Sequence, residues 1–243
     1  MPDEIWIFAL IGFFAQLVDG ALGMAFGVLS TSSLLAFGVP PATASAMTHV
    51  AEIFTTAASG TSHILHRNVD WRLFARLAPP GMLGGAIGAF LLSSVDADFI
   101  RPIVSIYLIG IGVFIIFKAF RPLWPREVRD WIVPFVGGGG GVLDAMGGGG
   151  WGPVVTGSLI GRGHNPRRVI GSTNLTEFLV TTTISATFIV TLGYSELKSA
   201  VGLILGGMLA APISGFVVSR IPTRPVMLAV GVIIIASTVV NLI

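Results

Sequence analysis

The chain carries VDGALGMAFG at residues 18–27 and LDAMGGGGWG at residues 143–152, which is 125 positions later. Both stretches belong to a longer repeat, in which residues 12–56 match residues 137–181 without a gap. Each stretch places one aspartate among glycines inside very apolar sequence. Because polar groups are costly in such surroundings unless a site uses them, the repeat is where the function of the chain is expected to lie.

The composition is that of an integral membrane protein. Hydrophobic residues make up 53% of the chain, charged residues only 11%, and the mean hydropathy is +0.87, whereas soluble domains carry roughly 25% charged residues. There is no cysteine, which excludes disulfides and thiolate metal sites. No basic face with interleaved aromatic residues is present, so a nucleic-acid partner is not expected. Apolar stretches near the length of a bilayer crossing recur at 42–65, 73–93, 100–118, 170–192, 199–219 and 226–243.

The distribution of basic residues predicts how the chain crosses the membrane. Residues 5–37 and 132–160 are apolar but interrupted by glycines and an aspartate, so each is either one crossing or a hairpin. With single crossings the 14 lysines and arginines divide 8 to 6 between the two sides; with hairpins they divide 12 to 2, and only Arg101 and Lys198 are opposed. Since cytoplasmic loops carry an excess of Lys and Arg, we expect hairpins, a cytoplasmic basic side and two periplasmic termini.

The hairpins determine the predicted architecture. Each unit then has one hairpin and three crossings, so the second unit enters the membrane from the opposite face. We therefore predict an all-α, polytopic transmembrane protein built from two inverted-topology repeats, each with a glycine-rich broken helical hairpin plus three helices. The first repeat is residues 1–120, the cytoplasmic linker is 121–131 and the second repeat is 132–243. Secondary transporters use this architecture and bind substrate near the midplane between the repeats.

The breaks supply the first candidate site residues. A helix that starts at a break inside the membrane points free N–H groups and the positive end of its dipole at whatever lies beside it, which suits an anion. The alternative is that the glycines only allow tight packing. Asp19 and Asp144 are expected either to cap the helices that follow or to act as proton carriers or gates. The candidate substrate-binding glycines are Gly23, Gly27, Gly148 and Gly152.

Glu52 and Glu177 supply the second group of candidates. Each lies about ten residues into a long apolar helix, roughly 15 Å deep at 1.5 Å per residue and near the midplane of the bilayer core. We expect them to serve in proton coupling or gating, and the alternative is that both are locked in structural hydrogen bonds. Helical spacing places Thr48 and His49 on the same face as Glu52. The matching residues of the second unit are Thr173 and Asn174, and all four are candidates for binding substrate.

These motifs together resemble the TauE/SafE sulfite exporter family, in which a duplicated glycine-rich stretch precedes a helix bearing Thr-His/Asn-x-x-Glu. The resemblance covers nearly the whole chain. It implies transport of a sulfur-containing anion, such as sulfite or a sulfonate, across the bacterial inner membrane. By position it implies functional roles for Asp19, Gly23, Gly27, Thr48, His49 and Glu52, and for Asp144, Gly148, Gly152, Thr173, Asn174 and Glu177.

Three functions fit the residues. The leading expectation is a transporter, not an enzyme, that moves a small anion together with protons by alternating access, with no cofactor and no bound metal. The second is a cation transporter for H⁺, Na⁺ or a metal, based on the four buried carboxylates. The third is an intramembrane aspartic protease, which the sequence contexts of Asp19 and Asp144 do not match. The expected partners are the small solute, protons and lipid, and the run Gly81–Gly88 fits either a homodimer contact or internal packing.

Overall fold

The computed structural model describes residues 2–120, 130–160, 166–194, 200–218 and 222–240, and these contain helices and no strand. The helices are α1 (Pro2–Leu22), α2 (Phe26–Ala36), α3 (Pro41–Leu65), α4 (Trp71–Ser94), α5 (Ala97–Phe120), α6 (Val133–Gly147), α7 (Gly157–Ile160), α8 (Pro166–Leu192), α9 (Ala200–Val218) and α10 (Thr223–Val240). The prediction of an all-α membrane protein is confirmed.

The two glycine-rich stretches form breaks between helices. One break separates α1 from α2. The other separates α6 from a π-helical turn, Trp151–Thr156, that continues directly into α7. We call α2 the first half-helix and residues 151–160 the second half-helix. Each break begins with a glycine in the left-handed region, Gly23 at φ 66° and Gly148 at φ 63°, a conformation that side chains with a Cβ rarely adopt.

The two breaks lie against each other in the interior. A Cβ added to Gly27 would sit 2.6 Å from Cα of Gly149, and one added to Gly152 would sit 2.6 Å from Cα of Met24. Only glycine allows backbones to approach this closely. The second break is buried in protein, and the first is half-buried beside a cavity, which are the two surroundings that irregular backbone at membrane depth tolerates.

The long helices pack in reciprocal pairs. Helix α1 packs along α9, α6 packs along α4, and the remaining long helices pair as α3 with α8 and α5 with α10. Helices α1 and α6 carry matching parts of the repeat, and α4 and α9 carry a weaker echo of it, Gly81-Met82-Leu83 and Gly207-Met208-Leu209. Each unit thus packs its first helix on the other unit. Whether the units are inverted across the membrane stays a prediction.

Glycines make these helix contacts close. On α9, Gly206 lies against the Ala9 carbonyl of α1, and on α6, Gly141 lies against the Gly81 carbonyl of α4. Within the run 81–88, a Cβ added to Gly88 would lie 2.6 Å from the Val142 carbonyl. The small residues of this run therefore serve internal packing, the second of the two roles that its sequence allowed.

The outer surface is apolar. Among the described residues, three helices are long and apolar enough to cross a membrane: Trp71–Ser94, Ala97–Phe120 and Arg167–Leu192. Large side chains on their outward faces and on α9 are exposed, for example Ile106 at 70% and Leu209 at 67%, as expected of surfaces that contact lipid. Helix α3 runs for 25 residues but carries a polar face. Of the predicted linker, residues 121–129 lie outside the described residues.

The close contact between α4 and α6 gives a test of the packing. Replacing a mid-helix glycine by alanine favours the helix by about 1 kcal/mol when space is available. At Gly141 the new Cβ would meet Gly85 N at 2.8 Å and the Gly81 carbonyl more closely, whereas at Gly139 nothing lies within 4 Å. We expect Gly141→Ala to destabilise the protein by about 1–3 kcal/mol through overpacking, and Gly139→Ala to leave it unchanged or more stable. Thermal unfolding of the two purified variants in detergent measures this, and equal melting temperatures would contradict the contact.

Candidate functional site

A cavity of about 620 Å³ lies where the two breaks meet. Its deep end is formed by buried residues of both half-helices and by the middle of α3. From there it follows α3 towards Ser62 and α9 towards Pro212, which are exposed and mark its mouth. Each unit contributes its break and two long helices to the wall, α1 and α3 from the first and α8 and α9 from the second. The cavity is therefore the place where the two halves of the chain share a site.

The structure divides the predicted site residues into two groups. Seven of them line the cavity, and the other five lie behind its wall. The lining group is Asp19, Gly23, Gly27, Glu52, Gly152, Asn174 and Glu177. The group behind the wall is Thr48, His49, Asp144, Gly148 and Thr173.

Both aspartates hold the start of a half-helix. Asp19 Oδ1 accepts hydrogen bonds from the backbone N–H groups of Ala25 at 2.7 Å and Phe26 at 3.2 Å. Asp144 Oδ1 accepts the matching pair from the second break, at 2.6 and 2.9 Å, with Gly150 and Trp151 as donors. Each carboxylate therefore satisfies two N–H groups that a helix start leaves without partners. Asp19 also reaches the cavity, whereas Asp144 is fully enclosed.

Each half-helix is joined to the long helix that follows it by one pair of threonines. The Thr31 hydroxyl of α2 lies 3.0 Å from Thr48 Oγ1 of α3, and the Thr156 hydroxyl donates to Thr173 Oγ1 of α8 over the same distance. Thr31 also contacts the Gly148 carbonyl across the two breaks at 3.1 Å. Predicted from spacing as binding residues, Thr48 and Thr173 occupy structural positions in this arrangement.

His49 faces the second break instead of the cavity. Its Nε2 lies 3.4 Å from Asp144 Oδ2, and its Nδ1 lies 2.8 Å from the Ser45 carbonyl. The ring is fully buried. His49 of α3 and Asp144 of α6 therefore form one enclosed polar pair at the second break.

The counterpart Asn174 behaves differently from His49. It lines the cavity, where its Oδ1 accepts a hydrogen bond from the Ser59 hydroxyl of α3 at 3.1 Å. Its Nδ2 donates to the Ile170 carbonyl one turn earlier in α8. Asn174 thus links α3 and α8 across the cavity wall.

The glutamates meet in the same cavity. Glu52 is 4% exposed and its Oε2 is buried without a hydrogen-bond partner among the described residues. Glu177 of α8 lines the cavity as well. A buried oxygen without a partner is unusual in proteins, and this oxygen of Glu52 makes none of the structural hydrogen bonds that were the alternative. Its carboxyl group is available to a solute or a proton.

Backbone donors lie beside Glu52. In a helix the first N–H groups have no partner within the helix, and the aspartates satisfy only the leading two. The next ones belong to Gly27 and Val28 in the first half-helix and to Gly152 in the second, and all three residues line the cavity. A Cβ on Gly27 would lie 2.7 Å from Glu52 Oε1, so these donors and the carboxyl group are close neighbours. The deep end therefore combines helix N-termini with a titratable acid.

Sequence reasoning missed several residues of the wall. They form a polar stripe along α3 that continues from Glu52 to the mouth: Thr55, Thr56, Ser59, Ser62 and His63. Their spacing of three and four residues places them on one face of a helix. The spacing alone could therefore have predicted this polar stripe. His63, in the last turn of α3, also forms part of the wall. The buried amide of Gln16, whose Oε1 has no partner among the described residues, lines the cavity as well.

The charges of the wall are carboxyl groups. Asp19, Glu52 and Glu177 line it, and the described lining includes no lysine or arginine. The ammonium group of Lys118, which is not part of the lining, lies 3.6 Å from the sulfur of the lining residue Met24. A positive group thus lies closer to the site than the sequence indicated.

The capping contact of Asp144 can be tested directly. We expect Asp144→Ala to destabilise the protein by about 1–2 kcal/mol, because two N–H groups at the start of the second half-helix lose their acceptor. Asp144→Asn keeps an acceptor oxygen and should retain most of the stability. Thermal unfolding of the two variants is the measurement, and an alanine variant as stable as wild type would show that the cap is unimportant.

Comparison with known proteins places the chain in a family. A family model described as "Sulfite exporter TauE/SafE" matches residues 8–240. The chain is also 40% identical, over an alignment of 251 residues, to "Probable membrane transporter protein YtnM" of Bacillus subtilis (strain 168), covering 98% of this chain and 83% of that protein. No solved structure matches. The chain therefore belongs to the TauE/SafE sulfite exporter family and is a membrane transporter rather than an enzyme.

Proposed function

We propose that the protein is a secondary transporter that moves a small sulfur-containing anion, such as sulfite or a sulfonate, across the bacterial inner membrane together with protons. The solute binds in the cavity between the two breaks, and the two halves of the chain open alternately around it. The observation that carries the proposal is the deep end of the cavity, where two half-helix N-termini and an unpartnered carboxyl group converge. The family and the relative support transport but leave the solute open.

The donors at the deep end favour an anion. The free N–H groups of Gly27, Val28 and Gly152 line the cavity beside the positive ends of two helix dipoles. The amide of Asn174 adds side-chain polarity to the wall. None of these groups carries a full charge, so binding is weak enough for release, which transport requires. A cavity of about 620 Å³ has room for a small oxyanion with its water.

The carboxyl groups provide the coupling. Glu52 and Glu177 line the same cavity without a lysine or arginine in its described wall. When ionised they repel an anion, and when protonated they admit it and can donate hydrogen bonds to it. Anion entry and proton uptake are then linked, because each makes the other more favourable.

The cation alternative has one specific observation in its favour, which is the three carboxyl groups in the wall. They would attract Na⁺ or H⁺ without any further donor. Against a metal ion, no group of three His, Asp or Glu side chains in the described part of the chain is arranged to hold one. The half-helix N-termini at the deep end also repel a cation, which is why we place this function second.

The orientation follows from the loops. The mouth lies near Ser62 of α3, next to the predicted cytoplasmic loop at 66–76, and near Pro212 of α9, whose following loop at 220–224 is also basic. We therefore place the mouth on the cytoplasmic side and both termini in the periplasm. The reciprocal packing of α1 on α9 and α6 on α4 fits two inverted repeats.

A ligand screen tests the proposed solute. We expect sulfite or a simple sulfonate to raise the melting temperature of the purified protein, because a ligand at 100 times its Kd adds about 2.7 kcal/mol to the stability of the folded form. Glu52→Gln and Asn174→Ala should each weaken that binding about tenfold, equivalent to about 1.4 kcal/mol. Sulfate and carboxylates, tested at two pH values, define the selectivity.

Asp98→Asn is the matched control for the screen, because it removes an exposed carboxylate of α5 that lies outside the cavity. It should bind as wild type does. Stabilisation by Na⁺ or other cations alone, with no anion effective at either pH, would replace the anion function by the cation alternative.

The orientation has its own test. Reporter domains that are active only in the periplasm should be active when fused to either end of the chain and inactive when inserted after Asn68, in the loop between α3 and α4. The reason is the excess of basic residues on the side of that loop. Activity from the insertion after Asn68, with silent termini, would reverse the topology.

A further inference from the structure

We propose that a second path leads from the site to the opposite side of the membrane, and that the side chains of Trp151, Val180, Ile184 and Phe188 close it. This inference rests on the proposed function only in taking the protein to be an alternating-access transporter. It does not depend on which solute is carried. The four side chains occupy, in the second half of the chain, the positions that form the open cavity in the first half.

The correspondence follows the repeat offset of 125. On α3 the cavity wall is Thr55, Ser59 and His63, spaced four residues apart. On α8 the residues 125 positions later are Val180, Ile184 and Phe188. The first stripe is polar and open to the cavity. The second is apolar, and none of its three side chains has any exposed surface.

The apolar stripe of α8 packs tightly against α4. A Cβ on Gly85 would lie 2.8 Å from Ile184 Cγ1, and one on Gly81 would lie 3.0 Å from Val180 Cγ2. The same Cβ on Gly81 would lie 2.8 Å from the ring of Trp151, which is fully buried. By contrast, α3 and α9, the matching pair in the other half, have the cavity between them.

The enclosed polar pair lies at the inner end of the closed path. His49 and Asp144 are the counterparts of Asn174 and Asp19, which line the open cavity. The His49 ring stands 6.5 Å, centroid to centroid, from the ring of Phe188. If α8 separates from α4, the side chains that become accessible are this pair. His49 and Asp144, two of the predicted site residues found behind the cavity wall, thus belong to the second access state.

Single cysteines test the path, because the chain has none of its own. Ser59→Cys and Ile184→Cys place thiols at matching points of the two stripes. A membrane-impermeant maleimide is added to right-side-out and to inside-out vesicles. We expect Ser59→Cys to react when the reagent is added on the side of the cavity mouth. We expect Ile184→Cys to react slowly, whichever side the reagent is added to. Adding Phe188→Ala should raise labelling of Ile184→Cys at least about tenfold, and only from the opposite side.

Two further variants make the result decisive. Phe188→Leu keeps most of the volume and should keep the path closed, and Phe188→His, which copies the residue of the open stripe, replaces the alanine variant if that one fails to fold. The proposal is overturned if Ile184→Cys reacts as fast as Ser59→Cys without a second change. It is also overturned if shortening Phe188 increases labelling from the mouth side or from neither side. Labelling needs no solute, so a failed anion screen leaves this test intact.

Discussion

The structure depends on satisfying the N–H groups of two helices that begin inside an apolar layer. Lipid offers no acceptor, so each break needs one from the protein. Asp19 and Asp144 provide it, each through one carboxylate oxygen that accepts two backbone hydrogen bonds. Both residues occur at the same place in the repeat because the same donors need the same acceptor. Burying a carboxylate is costly, and these hydrogen bonds offset that cost.

This constraint also determines where the site lies. A break must be covered by protein, and in this chain each covers the other, with Gly27 against Gly149 and Gly152 against Met24. The N–H groups that the aspartates do not reach then face a common space. Glu52 enters that space because it lies at the middle of α3, one turn before Thr55 and Thr56 on the polar face of that helix. The cavity is thus a consequence of how the two breaks are buried.

The sequence predicted the breaks from the repeat, the long helices from their apolar length, and seven of the residues that line the cavity. It could not separate residues that face the cavity from those behind it. Thr48 and Glu52 share a helix face, yet only Glu52 lines the cavity. A helix face is broad, and the distinction depends on which neighbour covers each turn. For Thr48 that neighbour is Thr31 of the half-helix.

The difference between the two halves begins where the repeat weakens. The gap-free match ends at Thr56 and Thr181, and beyond it α3 stays polar while α8 turns apolar. Exposing the polar side chains of Ser59 and His63 to water costs little free energy. Exposing Ile184 and Phe188 loses about 1.5–3 kcal/mol of hydrophobic stabilisation for each side chain. If α3 and α8 carried identical stripes, opening the protein beside either helix would cost the same free energy. In the proposed alternating-access mechanism, the divergence of α8 from α3 therefore sets the resting state, and a bound solute reverses it only through contacts that it makes more strongly in the other state.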